Sequence, residues 1–442
     1  MRFNHQSTIN DIIRITLIVF LALALVSCSS IYSKPALSLD AGFVSGDTVI
    51  KNVDGVLSLY STEESVALVK YSIDLVVGET KGGIAYRSFI SGYGWQSWLP
   101  SGETSGTVSN ENTINAVQIM LTGHIANYYD ISYRVNLQSS GWQDWVSNGT
   151  VSGMTEEPIV GMEIKLEAKQ GEIKDASWTL TEYGDDDGRQ SEFYTLTNND
   201  DGTLIVIDGG WDANTEQVRS IINLYGGEVD YWFITHYDAD HVSAFNNIYA
   251  DPQGITIGTV YATPLDYNLY CSYAEERWWD TPEVYKLFLD QTEGDDSIVY
   301  LNRDDCFDIA GLNVCVFNSF DQIVVDTGNP DVANYGSLMF KITGKEDSFL
   351  VCGDVYGQML IDLVNTYGEQ LQSEYVQLGH HGNNHVEPEV WAVVNAKIAF
   401  FDGPAWLTES DDYGAKALTE WCQANGIVTY DYGTAPNSLP FE

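Results

Sequence analysis

The stretch THYDADHVSAF, residues 235–245, sets two histidines and two aspartates within six positions, His236-x-Asp238-x-Asp240-His241. It follows the apolar run Tyr231-Trp232-Phe233-Ile234. A second cluster, His380-His381-Gly382-Asn383-Asn384-His385, follows YVQLG. The two clusters hold five of the chain's seven histidines. Imidazole and carboxylate groups are the donors that divalent metals take from proteins, so their dense mixing predicts a metal site. In an extended turn His236 and Asp238 point one way, while Asp240 and His241, entering a helix, turn another. One short loop can thus serve two ions. Each residue taken alone has a plainer role: a solvated loop histidine, Asp240 as a helix cap, Asp354 closing a turn. Only the set taken together points to a metal.

The elements around these clusters alternate between strands and amphipathic helices from about Ala176 onward. LIVID (204–208), YWFIT (231–235), FLVCGD (349–354), YVQLG (375–379) and KIAFFD (397–402) read as strands. Val218, Ile221, Ile222 and Tyr225 follow a helical period that Gly226-Gly227 stops, and Leu360, Leu363, Val364 and Tyr367 mark another helix. Leu418, Trp421 and Cys422 suit a last helix ending near Asn425-Gly426. Four strands therefore deliver Asp208, the 236–241 cluster, Asp354 and His380-His381 at their C-terminal ends, where ligands collect in layered α/β proteins. Between them, residues 262–300 are rich in aromatics, including Tyr267, Tyr270, Trp279, Tyr285 and Phe288, with a helix start at Asp280-Thr281-Pro282-Glu283. That insertion either walls the site or packs on the domain surface.

At 442 residues the chain exceeds one compact core, so several domains are expected. Its formal net charge of −43 disfavours sequence-independent binding of nucleic acid and other polyanions. Arg2 and Arg14 precede an apolar run, residues 15–26, too short for a transmembrane helix and suited to a signal-peptide core. Residues 1–28 are read as that signal, and 29–40 as a tether within a β-rich segment that extends to 81. Tyr86, Gly94, Trp95 and Trp98 recur as Tyr133, Gly141, Trp142 and Trp145, an offset of 47 positions throughout. Each unit, 82–123 and 124–170, closes on a strand-like run, NAVQIML or GMEIKLE. Cys306 and Cys315 flank FDIAGLNV; with Ala310-Gly311 as a hairpin turn they face each other, as a disulfide or as two thiols.

Leu25-Val26-Ser27-Cys28 resembles the bacterial lipobox, which implies cleavage before Cys28, lipid on its thiol and anchoring at the extracellular face of the cell membrane. The Gly-Trp-x-x-Trp units resemble clostridial hydrophobic-tryptophan (ChW) repeats. That resemblance implies a Gram-positive, clostridia-like source and a surface role in which Trp95, Trp98, Trp142 and Trp145 bind a polysaccharide or protein; the alternative is that they are core residues of the module.

Residues 174–442 resemble the metallo-β-lactamase superfamily, whose signature is His-x-His-x-Asp-His, with Asp238 here in place of the second histidine. Together with VIDGG, NYGSLMFKI (334–342), FLVCGDV and LGHHG, the pattern resembles the hydrolase-like domain of ComEC competence proteins. The chain is thus expected to be multidomain, β-rich ChW modules followed by an α/β four-layer (αββα) domain. The resemblance implies one or two divalent ions, zinc or manganese, the latter favoured by the extra carboxylate. His236 and Asp238 would bind the first; Asp240, His241 and one of His380 or His381 the second; Asp354 would bridge them. Asp208 would orient ligands from behind. Asn334 and Ser337 stand where the superfamily usually places another histidine, which leaves the first ion short of a ligand. His385 is either solvated or a substrate contact. The implied activity is attack of metal-activated water, oriented by Asp240, on a small ester, a phosphodiester or a cell-wall polymer. Two other readings stand beside it: a surface adhesin whose hydrolase fold has lost activity, and a ComEC-like nuclease that would need a partner to supply the membrane channel.

Overall fold

The computed structural model describes residues 36–43, 48–53, 55–61, 67–76, 81–106, 112–154, 156–170, 176–274, 277, 279–383 and 388–442. Cys28 and His385 lie outside them. Among the described residues no helix is long and apolar enough to cross a membrane.

The repeats form antiparallel pairs, Gly83–Ile90 with Ile114–Thr122 and Tyr129–Leu137 with Ile159–Ala168. Alternate residues point inward, and Tyr86, Ile119, Tyr133 and Ile164 meet in one core. The two repeat tyrosines are used identically: the Tyr86 hydroxyl donates to the Glu103 carbonyl and that of Tyr133 to the Thr150 carbonyl. Strand Val56–Ser61 pairs with Ile159–Ala168, so the β-rich segment before the repeats is woven into their sheet. The expected tether needs correction, because Ala36–Phe43 is already a strand paired with Leu68–Val76.

The repeats differ in what their tryptophans meet. Arg87 lies between Trp95 and Trp98, and Arg134 between Trp142 and Trp145, with each guanidinium 4.6–4.9 Å from the ring centroids. Trp98 is 3% exposed and shares a core with Val218, Ile221 and Trp232, whereas its counterpart Trp145 is half-buried; Trp142 is 39% exposed. The expectation that all four tryptophans serve surface binding is therefore wrong for Trp98, which is buried against the following domain. We predict that Trp98→Ala costs about 3–5 kcal/mol of stability in urea unfolding, while Trp142→Ala changes it by about 0.5 kcal/mol or less.

The C-terminal part contains two seven-stranded sheets. The first joins β1 (Trp178–Glu182), β2 (Phe193–Asn198), β3 (Leu204–Asp208), β4 (Glu228–Ile234), β5 (Thr256–Ala262) and β6 (Ile298–Tyr300), with β3 to β6 parallel. The second runs β7 (Cys306–Ile309), β8 (Leu312–Asn318), β9 (Met339–Thr343), β10 (Ser348–Val351), β11 (Tyr375–Gln377), β12 (Ile398–Phe400) and β13 (Val428–Tyr430). A last strand, β14 (Asn437–Phe441), returns to the first sheet beside β1. Ile207 and Phe233 of the first sheet and Phe340 and Phe349 of the second share one core, and the Phe233 and Phe340 rings stack at 4.6 Å. Their strand neighbours Val206 and Trp232 point the other way, toward helices α1 (Thr215–Leu224), α2 (Ala239–Ala250) and α3 (Pro282–Thr292). Leu350 and Val376 likewise meet α4 (Gly357–Tyr367) and α5 (Ala415–Ala424) on the far side of the second sheet.

Pro282 starts α3 as its spacing predicts. The 262–300 insertion is built into the domain: Tyr270, Tyr285 and Phe288 are buried beside α2. Cys306 and Cys315 face each other across the Ala310-Gly311 turn and are joined by a disulfide.

Candidate metal centre

The C-terminal ends of β3, β4, β10 and β11 deliver their side chains to one place. Asp208 ends β3 with a positive φ of 51°, an uncommon backbone for a residue with a Cβ. Its carboxylate accepts from the Thr235 amide at 2.8 Å, from the Thr235 hydroxyl at 2.5 Å and from His241 Nδ1 at 2.8 Å. This fixes the His241 tautomer and turns Nε2 toward Asp354, 3.3 Å from its Oδ1. His236 Nε2 lies 3.6 Å from Asp238 Oδ2 and 3.9 Å from Asp354 Oδ2. His381 Nε2 lies 3.3 Å from Asp240 Oδ2 and 3.5 Å from Asp354 Oδ2. Asp354 is thus common to all three imidazoles. Its amide donates to Ser337 Oγ at 3.2 Å.

His380 and His381 divide the pair of roles that the sequence leaves open. Both have positive φ, 54° and 57°, so the loop is held against its backbone preference and aims the two rings apart. His381 faces the carboxylates. His380 stacks on Tyr356 at 4.8 Å and gives its Nδ1 to the Asn383 carbonyl, with Nε2 3.9 Å from Asp354. Asn334 is buried but donates to Asp331, whose carboxylate also takes Tyr356 and Arg277, so it supports the loop around the centre.

The donor set fits divalent ions. His236 Nε2, His241 Nε2, His381 Nε2 and Asp354 Oδ1 are buried and have no hydrogen-bond partner, a costly state for isolated polar atoms. Two overlapping groups, His236, His241 and Asp354, and Asp240, His241 and His381, each bring their donor atoms within 4.8 Å of one another. Electrostatics reflect the crowding. Burial would raise the Asp354 carboxyl, but the His381 and His241 rings outweigh it and hold it well below the usual carboxylate range. Burial would lower His381, yet Asp354 and Asp240 push it up to about 10.

Several participants escape the spacing argument. Tyr270, from the insertion, donates to Asp238 Oδ1 at 2.8 Å and accepts from the Thr281 amide. Tyr270→Phe is expected to weaken metal binding by about tenfold, read by competition with a chelator, with folding intact. Glu192 at the start of β2 is fully buried, 3.6 Å from His241 Nδ1, and burial followed by the Asp208 charge raises its carboxyl well above the usual range. Asp402 accepts from the Tyr194 hydroxyl, and burial pushes it up to about 7. The signal for both was an acid bounding a buried strand, Glu192 before FYTLT and Asp402 after KIAFF.

Residues 187–251 match the sequence model of the metallo-beta-lactamase superfamily, and residues 89–123 and 136–168 match that of clostridial hydrophobic W. The chain therefore carries a metallo-β-lactamase-superfamily match in its C-terminal part, preceded by two ChW repeats. Among solved structures it is similar to the metallo-beta-lactamase fold protein YhfI from Bacillus subtilis, at 9% identity over 59% of this chain and 99% of that one, TM-score 0.37. It is similar to a diphosphatase from the PhnP family at 12% identity over 60% and 98% of the two chains, TM-score 0.35. It is similar also to CmlA, a diiron beta-hydroxylase from Streptomyces venezuelae, at 11% identity over 61% and 55%, TM-score 0.35. No curated protein matches the chain.

Proposed function

We propose that residues 174–442 form a metal-dependent hydrolase acting on a small ester or phosphodiester, or on a cell-wall polymer, in a four-layer αββα arrangement. One observation carries the reading: three buried imidazole nitrogens without hydrogen-bond partners lie 3.3–3.9 Å from the carboxylate of Asp354. His236, Asp238 and Asp354 would hold one divalent ion, and Asp240, His241 and His381 another, with Asp354 shared. Zinc or manganese suits this mixture of imidazole and carboxylate. When bound, such ions supply Lewis acidity and hydroxide near neutral pH. The chain's own residues do the rest. Asp208 locks the His241 ring, Tyr270 holds Asp238, and Asp240 orients the attacking water. His380, partly exposed beside Tyr356, stands where a substrate would enter.

The acidic surface supports small or neutral substrates over long polyanions. The 306–315 disulfide supports an oxidising location, in keeping with a lipid on Cys28 and residence at the extracellular face of the membrane. The exposed Trp142 favours a second role in attachment through the second repeat. Elemental analysis of the chain from residue 29, paired with hydrolysis of bis(p-nitrophenyl) phosphate, tests the reading. About two ions per chain with turnover is expected for a dinuclear site; no stoichiometric metal after reconstitution with zinc and manganese overturns it and leaves a surface binding protein.

A further inference from the structure

The ChW repeats share a motif but not a partner. In the second repeat Arg134 faces Glu163 across the strand pair and binds it at 2.8 Å, closing the charge within the module. In the first, the matching position is Gln118, which takes only Nε of Arg87. The two remaining guanidinium nitrogens reach out of the module and grip Asp186 bidentately at 2.8 and 2.7 Å. Asp186 sits in the β1–β2 loop, residues 183–192. The Trp98 amide donates to Ser220 Oγ at 3.2 Å, Ser220 donates to the Gln217 carbonyl, and Gln217 Nε2 donates to the Gly184 carbonyl at 2.9 Å. The first repeat therefore holds one end of this loop at two points.

The other end of the loop lies in the metal centre. The Ser191 amide donates to the Asp402 carbonyl, and the Glu192 amide donates to the Asp240 carbonyl at 3.1 Å. The Glu192 side chain sits behind His241. We propose that the first repeat is a clamp on the hydrolase domain, and that Arg87 and Asp186 are positioning residues which set the 183–192 loop against Asp240 and His241. The second repeat closes the charge of Arg134 internally on Glu163 and leaves Trp142 exposed. This inference rests on the hydrolase reading for its catalytic consequence, but the clamp itself can be measured without it.

In the full chain, Asp186→Ala is expected to lower kcat for bis(p-nitrophenyl) phosphate by about tenfold or more, with KM and metal content unchanged. Asp186→Glu restores it, and Arg134→Gln in the second repeat leaves it at the wild-type value. Hydrogen exchange of the backbone amides of residues 184–192 accelerates in Asp186→Ala and not in Arg134→Gln. Unaltered exchange in Asp186→Ala overturns the clamp. Faster exchange with an unaltered kcat overturns the positioning role. A wild-type chain without metal or turnover instead removes the hydrolase reading, and the exchange result alone then decides the clamp.

Discussion

His241→Ala is expected to lose at least one metal ion per chain and to hydrolyse bis(p-nitrophenyl) phosphate roughly a thousandfold more slowly than the wild type. This histidine is the one residue common to both donor groups. Its Nε2 faces Asp354, and its Nδ1 is fixed by Asp208, so the ring is already oriented before any ion arrives. Its removal also leaves the buried Asp208 carboxylate without the imidazole it holds, and opens a space beside Glu192. A buried carboxylate stripped of its partner carries an uncompensated desolvation cost. Circular dichroism and a thermal scan separate this effect from unfolding. Retention of full metal content and turnover in His241→Ala would show that the convergent donors do not form the working site.

The second large effect is on metal uptake as a function of pH. In the metal-free chain Asp354 and Asp240 raise His381 to about 10, and His241 is also raised, with Asp354 and Asp240 the chief raising charges against burial. His381 is therefore protonated near pH 7, and an ion must displace that proton to bind. Binding then strengthens as pH rises, by about tenfold per unit for each proton displaced, until His381 titrates near 10. The sign is opposite for stability: the raised pKa of His381 stabilises the metal-free fold below the ordinary histidine range and is lost as pH climbs through 10. Calorimetry in buffers of different ionisation enthalpy reads the protons released. A release of at least about one per chain near neutral pH is expected, and none would contradict the arrangement.

Much of this centre was legible because strands bury runs of apolar residues and then stop. LIVID, YWFIT, FLVCGD and YVQLG each break at an acid or histidine, and those breaks fall on one edge of two facing sheets. The helices were legible for the same reason, since Val218, Ile221 and Ile222 keep a period that only one buried face explains. What the pattern could not show is which face a loop residue presents. His380 and His381 are adjacent and alike in sequence, and only two successive left-handed backbones separate their roles. Tyr270 and Glu192 approach from segments distant in the chain, so no spacing near the histidines announces them. Trp98 and Trp145 occupy equal places in a repeat, yet Trp98 is buried and Trp145 only half-buried, a difference that depends on which module has a neighbour.

The strand β14 has a bearing on how such a chain is made. It lies beside β1, and the Glu442 side chain accepts from the Ser177 amide, 265 positions away. The edge of the first sheet is thus completed by residues that follow the domain's other described strands in the chain. Until they arrive, Leu180 and its neighbours present an unpaired apolar edge, the kind of surface that invites aggregation. Pairing over so long a separation is also slow, because loop closure must be met before the contact returns anything. A chain truncated before β14 is therefore expected to expose that edge and to aggregate more readily than the full chain, as light scattering would read.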